Sequence, residues 1–300
     1  MKQLKLYAFI ICLFLLASCS KTLTSISDKT AEQIANTYEI RKDIPYGRHD
    51  EQKLDIYISK DASSYGKNNF TIVFLHGGAY YASDKSAEER YIEPYLKKGL
   101  NVVNMNYRLK RGISVATTDL TIALNFLKAN NSEYGLDLEN IIVTGFSAGA
   151  HIATLVGLTQ NNADYPDRLM AGIRITGIVN FSGPVDGLDV VEKIFVDHEN
   201  ALWSKAGRAL FPSEGYEEKA RIAKYEPITY LDSSDPPVFI WHGGEDNQIP
   251  PETFVEFSRN LIKGKDRVSY LPQARHSPTQ EELEAAYIEI FQFLDGLEQK

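Results

Sequence analysis

A serine set between glycines, in Gly145-Phe146-Ser147-Ala148-Gly149, is the residue best placed in this sequence to do chemistry. A free hydroxyl is a poor nucleophile at neutral pH, so a serine that attacks a carbonyl needs an exposed seat, a base, and donors for the charge it creates. The seat is suggested by context. The pentapeptide follows the β-branched run Ile141-Ile142-Val143-Thr144 and opens a stretch of helical period from Ala148 to Leu158, and its glycines relieve the crowding of a tight strand-to-helix turn. Donors are expected from a second loop, His76-Gly77-Gly78-Ala79-Tyr80, which follows the run Thr71-Ile72-Val73-Phe74-Leu75. Backbone N–H groups arranged beforehand around a developing oxyanion commonly give the largest electrostatic gain.

The base has to come from six histidines. His76 belongs to the Gly-Gly loop and shapes it. His151 lies about one helical turn past Ser147, where it packs or caps rather than reacts. His242 ends a strand beside Gly243-Gly244, and His49 and His198 lie where nothing points to chemistry. His276 falls between the last run of strand type and the last helical stretch, in Gln273-Ala274-Arg275-His276-Ser277. A base of this kind needs an acid that holds its tautomer and stabilises its charged form. Asp246 sits just beyond Pro237-Val238-Phe239-Ile240-Trp241 and suits that task; Glu245 is its competitor, whereas Asp232 and Asp235 precede the strand and would lie at the opposite edge of a sheet.

The elements that must position these groups alternate. Besides the runs already quoted, Asn101 to Met105, Gly177 to Phe181 and Arg267 to Leu271 read as strands. Their nearly continuous apolar character predicts burial on both faces of a mostly parallel sheet. Leu54 to Ile58 alternates instead and is expected as an outer, antiparallel strand. Helices are expected over Ala87–Lys98, Val115–Ala129, Ala148–Leu158, Glu252–Lys263 and Thr279–Leu297, flanking the sheet in an α/β fold. Residues 186–235 fit this rhythm poorly and are expected as a cap-like insertion of helical excursions that roofs a pocket, with Phe195, Trp203 and Phe211 among scattered charges.

Of the 300 residues, 43% are hydrophobic and 24% charged, the balance of a folded globular chain. A formal charge of −8 without basic clusters gives nucleic acid no electrostatic footprint. Phosphate loops, dinucleotide fingerprints and Cys/His metal clusters are lacking, so no cofactor and no metal is expected. Lys2 and Lys5 precede an apolar run from Leu6 to Ala17, too short to span a bilayer comfortably and patterned as a secretory signal. Its end, Leu16-Ala17-Ser18-Cys19, resembles the lipobox of bacterial lipoproteins. That resemblance implies cleavage, acylation of Cys19 and export to a membrane surface on the periplasmic or outer side. The other cysteine, Cys12, would be discarded with the leader, so no disulfide is expected. The reading is therefore a leader over residues 1–18, a polar tether over 19–38 and one domain over 39–300.

From about residue 45 onward the chain resembles serine esterases of the α/β-hydrolase fold, the hormone-sensitive-lipase-like group and the BD-FAE-like carbohydrate esterases. The residues that carry the likeness are His76-Gly77-Gly78, Asn106-Tyr107-Arg108-Leu109, Tyr134-Gly135-Leu136-Asp137, Gly145 to His151, and His242-Gly243 to Pro250. Ala79 and Ala150 replace glycines common there. The resemblance implies a chain order of Ser147, Asp246 and His276 as nucleophile, acid and base. It implies an oxyanion hole from the amides of Gly78, Ala79 and Ala148, with His76 and Gly77 supporting the loop. It also implies hydrolysis of short or aromatic acyl esters, acetyl or feruloyl on a carbohydrate or other small molecule. Amide cleavage of the arylformamidase kind stays open, as does a catalytically silent binding protein on the same scaffold.

Overall fold

The computed structural model describes residues 28–61, 69–211 and 222–297. Cys19 and the leader lie outside the described residues. The chain begins with α1 (Asp28–Thr37), β1 (Tyr38–Pro45), β2 (Lys53–Ser59) and β3 (Thr71–Leu75), then a 3-10 segment Lys85–Tyr91. There follow α2 (Glu93–Lys97), β4 (Asn101–Met105), α3 (Ile113–Ala129), α4 (Asn131–Tyr134), β5 (Ile141–Phe146), α5 (Ala148–Thr159) and β6 (Ile175–Phe181). The last part holds α6 (Leu188–Val196), α7 (Ala201–Arg208), a 3-10 turn Pro227–Tyr230, β7 (Val238–Gly243), α8 (Glu252–Asn260), β8 (Arg267–Leu271) and α9 (Gln280–Asp295).

The strands form one sheet in the order β1-β2-β4-β3-β5-β6-β7-β8. β2 is antiparallel to both β1 and β4, and all pairs from β4 to β8 are parallel. Successive side chains of a strand point to opposite faces, and the core divides accordingly. Val73, Leu75, Val103, Ile141, Val143 and Ile240 pack on one face with α3 and α5. Ile72, Phe74, Val102, Ile142, Phe239 and Trp241 pack on the other with α9 and the segment around Tyr95. Parallel strands covered on both faces need this continuous apolar character. The last helix starts where the sequence supplies a capping box: Glu282 donates its amide to Thr279 Oγ1 at 3.2 Å, and Thr279 donates its own to Glu282 Oε2 at 2.7 Å.

Some expectations are corrected. The tether was expected to run to residue 38, yet α1 occupies 28–37, with Ile34 and Tyr38 buried in the core and the Tyr38 hydroxyl donating to Leu96 O at 2.9 Å. Ile34 is the apolar anchor of an otherwise polar helix, and Tyr38 fixes the strand that follows it. β2 is antiparallel as expected but not outermost, because β1 lies outside it. β8 was expected to be buried on both faces; it is the opposite edge strand, with Val268 40% and Tyr270 43% exposed. The helix expected over 87–98 divides: Glu88 has non-helical angles (φ −129°, ψ 30°), and Pro94 in the first turn of α2 restarts the helix where a missing N–H costs nothing.

Candidate active site

β5 ends at Phe146, and Ser147 turns the chain into α5 with φ 52° and ψ −119°. That left-handed conformation is uncommon for a residue with a side chain. Glycine on either side is required by close approach: a Cβ on Gly149 would stand 2.1 Å from Leu75 O, and one on Gly145 would stand 2.5 Å from Gly149 C. The Ser147 amide donates to Phe181 O at 2.8 Å, fixing the turn to β6. The hydroxyl therefore stands at the carboxyl end of the sheet, at the N-terminus of a helix whose partial positive charge favours an anion.

The loop after β8 brings His276 to it. His276 Nε2 lies 2.9 Å from Ser147 Oγ, and His276 Nδ1 lies 2.7 Å from Asp246 Oδ2. A carboxylate only accepts, so Nδ1 carries the hydrogen and Nε2 offers its lone pair to the serine hydroxyl. Asp246, in the loop after β7, has its other oxygen occupied by the amides of Gln248 and Ile249, both at 2.9 Å. All three side chains are buried. Glu245 is exposed, and its amide donates to Ala274 O at 2.8 Å, tying the two loops together. Gly243 and Gly244 let them approach: added Cβ atoms would stand 2.4 Å from Ala274 O and from Pro272 O respectively.

Gly78 (φ 99°), Ala79 (φ 51°) and Tyr80 (φ 57°) run consecutively through the left-handed region, turning their peptide planes along the loop. A side chain on Gly78 is excluded by Ala82 O, 2.1 Å from its would-be Cβ. Tyr107 donates its hydroxyl to His76 O at 3.0 Å, and its ring stacks on His76 at 4.5 Å. His76 Nδ1 donates to Gly77 O at 2.7 Å. Burial lowers the His76 pKa to about 4, so this ring stays neutral and structural. Ala79, Ser147 and Ala148 line one narrow apolar cleft with Leu188, Val191, Phe195, Leu210 and Ile249. The insertion thus supplies its roof through α6 and the turn after α7. The free space inside, about 10 Å³, is that of roughly one water.

Several supporting contacts escape sequence reasoning. Tyr80 donates its hydroxyl to His151 Nδ1 at 2.7 Å, and His151 Nε2 donates to Tyr225 O at 2.7 Å. That relay joins the Gly-Gly loop to α5 and to the far end of the insertion. Burial lowers the His151 pKa to about 4, which keeps the ring in the neutral form the relay needs. Ser182, left-handed at the end of β6, donates its hydroxyl to His276 O at 2.8 Å. His242 donates from Nε2 to Ile249 O at 3.0 Å, bracing the same loop that carries Asp246. Position at strand ends was the available signal for Ser182; the remaining contacts are set by the register of distant elements. No cluster able to hold a metal occurs among the described residues.

A family model described as BD-FAE matches residues 54–261, a span that includes Gly77, Gly78, Ser147 and Asp246 and ends before His276. Among curated proteins, a probable carboxylic ester hydrolase, LipM, of Mycobacterium tuberculosis is 27% identical over 82% of this chain and 58% of its own length. An isoprenylcysteine alpha-carbonyl methylesterase, ICME, of Arabidopsis thaliana is 25% identical over 76% of the chain and 55% of its own. The chain spans a little over half the length of the curated relatives it matches. Among solved structures, a bifunctional GH43-CE protein of Bacteroides eggerthii aligns with TM-score 0.69 and 26% identity, over 85% of this chain and 38% of that one. Esterase B of Lactobacillus Rhamnosis aligns with TM-score 0.70 over 98% of this chain and 94% of that one; at 16% identity it speaks for the α/β-hydrolase fold alone.

Proposed function

The chain belongs to the BD-FAE family, and from that membership we propose that it is a carboxylic ester hydrolase of the serine type. Ser147 Oγ attacks the acyl carbonyl while His276 Nε2 takes its proton; Asp246 holds the imidazole in the required tautomer and stabilises its charged form. The amides of Gly78, Ala79 and Ala148 receive the oxyanion. His276 then gives the proton to the departing alcohol, and a water, deprotonated by the same nitrogen, releases the acyl-enzyme. The observation that carries this reading is the unbroken chain of hydrogen bonds, 2.9 Å and 2.7 Å, from Ser147 through His276 to Asp246. The named relatives, a probable carboxylic ester hydrolase and a methylesterase, support the same bond type.

The acyl group is short, acetyl before feruloyl, because Leu188, Val191 and Phe195 narrow the apolar cleft beside Ser147. The leaving alcohol is a carbohydrate hydroxyl, a choice that rests on the resemblance to the carbohydrate-esterase branch. A fluorophosphonate should label the wild-type protein and not Ser147→Ala; equal labelling of both ends the serine mechanism. Across p-nitrophenyl acetate and octanoate, acetylated xylan, methyl ferulate and N-formylkynurenine, the acetyl esters should turn over fastest. Preference for the formamide would move the activity to amides. The protein is also proposed to be held at a membrane surface by an acylated Cys19, supported by the Leu16-Ala17-Ser18-Cys19 sequence. Cys19→Ala should release it to the soluble fraction or leave it uncleaved, and acylation that survives the substitution removes the anchor.

A further inference from the structure

The 3-10 segment Lys85–Tyr91 lies beside the site, and the catalytic cycle above gives it no part. Its start is pinned: Lys85 Nζ sits 2.9 Å from Asp43 Oδ1 and 3.0 Å from Asp55 Oδ1, and the Lys85 amide donates to Asn106 Oδ1 at 2.6 Å. The non-helical backbone at Glu88 then lets two side chains, two residues apart, reach different loops. Glu88 Oε2 accepts the amide of Gly77 at 2.9 Å. Arg90 Nη1 donates to Pro278 O at 3.0 Å, two residues past His276. Between these contacts the space is filled by rings: the Arg90 guanidinium lies 4.8 Å over Tyr91, Tyr91 stacks on Phe146 at 5.1 Å, and Phe146 lies 5.0 Å from the His276 ring.

We propose that this segment is a bracket that sets the spacing between the oxyanion loop and the base, with Glu88 as its positioning residue. Holding the Gly77 amide fixes the peptide plane that precedes Gly78 and Ala79, whose N–H groups must meet the oxyanion; this role rests on the serine-esterase reading. An amide donating to a carboxylate is held roughly twice as strongly as one donating to a neutral oxygen, and a misplacement of about 1 Å can cost on the order of 10²-fold in rate. Burial pushes the Glu88 carboxyl up to about 7, while the Gly77 amide and then Arg90 pull it down. The other titratable groups facing it are Tyr91 of its own segment and Tyr107 beyond β4, and His76 is the residue before the amide it holds. Burial raises both tyrosines and lowers His76 to about 4, so around neutral pH Glu88 is the member of this group that changes charge.

The test is the pH dependence of kcat and KM for p-nitrophenyl acetate in the wild type, Glu88→Gln and Glu88→Ala, with Ser147→Ala as control. Glu88→Ala should lower kcat more than about 10-fold with KM within about 2-fold, the pattern of a group that acts in the transition state. Glu88→Gln keeps an acceptor oxygen without a charge. It should restore most of kcat above neutral pH and lose a step near pH 7 present in the acid limb of the wild type. Glu88→Ala within 2-fold of wild type overturns the bracket. If that variant does not fold, a wild-type-shaped profile in Glu88→Gln overturns it instead. Turnover that survives Ser147→Ala counts against the esterase reading and not against the bracket. Hydrogen exchange at the Gly77 amide decides the bracket in that case: it should quicken in Glu88→Ala more than in Glu88→Gln, and unchanged exchange in both sinks it.

Discussion

At the carboxyl ends of the strands, the turns after β3, β4, β5 and β6 place residues with side chains in the left-handed region: Ala79, Tyr80, Ser83, Lys110, Ser147 and Ser182. At the amino ends, the left-handed positions before β4, β5, β6 and β8 are glycines, namely Gly99, Gly135, Gly172 and Gly264. A non-glycine residue held there costs of order 1–3 kcal/mol, and glycine almost nothing. The carboxyl rim uses glycine as well, at Gly78, Gly112 and Gly187, but among the described turns it also holds residues with side chains there, so reversing the chain is the more expensive on that rim. On the expensive rim the side chains have uses that glycine cannot supply. Ser147 meets His276, Tyr80 meets His151, Ser182 meets the His276 backbone, and Lys110 Nζ lies 5.4 Å over the Tyr81 ring. Nothing in the structure explains the side chain at Ser83.

If the carboxyl rim is strained for chemistry, the largest effects there should fall on turnover rather than on folding. Asp246→Asn should lower kcat by up to about 10⁴-fold, because an amide facing Nδ1 presents the wrong partner for the tautomer that Ser147 needs. Its Oδ1 position can still accept from Gln248 and Ile249, so the thermal midpoint should move little. Stopped-flow or steady-state kinetics beside a melting curve would show both. Near-normal turnover would assign the acid to another residue and leave the rim's strain without its main purpose.

Which parts could be read beforehand follows the same division. β3, β4, β5, β6 and β7 are mostly apolar and buried along their whole length, so their existence and the strand-end positions of Ser147, Asp246 and the Gly-Gly loop follow from local pattern. β1 escapes sequence reasoning because Glu39, Lys42 and Asp43 face solvent on an edge strand, where charge is the usual defence against unwanted pairing. β8 misleads in the other direction, since Val268 and Tyr270 are exposed at the opposite edge. The partners of Ser182 and Arg90 are illegible for a topological reason. Their partners lie 94 and 188 positions away, and only the order of strands in the sheet brings them near.

Ser182 separates strain from use within a single residue. Ser182→Ala keeps the left-handed backbone and loses the hydrogen bond to His276 O, so kcat should fall by about 10-fold and stability by about 1 kcal/mol. Ser182→Gly loses the same bond but relieves the backbone, so it should be more stable than the alanine variant while remaining as slow. Equal stability of the two would mean that the turn after β6 is not strained. On the amino rim, Gly264→Ala adds a Cβ with nothing within 4 Å at φ 88°. The cost is therefore conformational alone, about 1 kcal/mol, and kcat should be unchanged.

The smallest expected effect is a charge on that same amino rim. Asp235, just before β7, is raised from 3.8 to about 6, chiefly by burial, with Asp232 and Asp266 adding to the rise and the Asp232 amide and Lys265 opposing it. A carboxyl that titrates higher in the folded chain than in the unfolded one binds more protons when folded between those two values. Stability from this group is therefore present below about pH 4, is lost as pH rises toward 6, and stays lost above it. Asp235→Asn removes the titration while keeping an oxygen for the Asp232 amide, which donates to Asp235 Oδ2 at 2.5 Å. At pH 8 the variant should melt about 2 °C above wild type, the difference should vanish near pH 4, and ester turnover should be the same in both. A change in turnover would mean that the two rims are coupled through β7, and that strain at the carboxyl edge is not held locally by the turns that carry it.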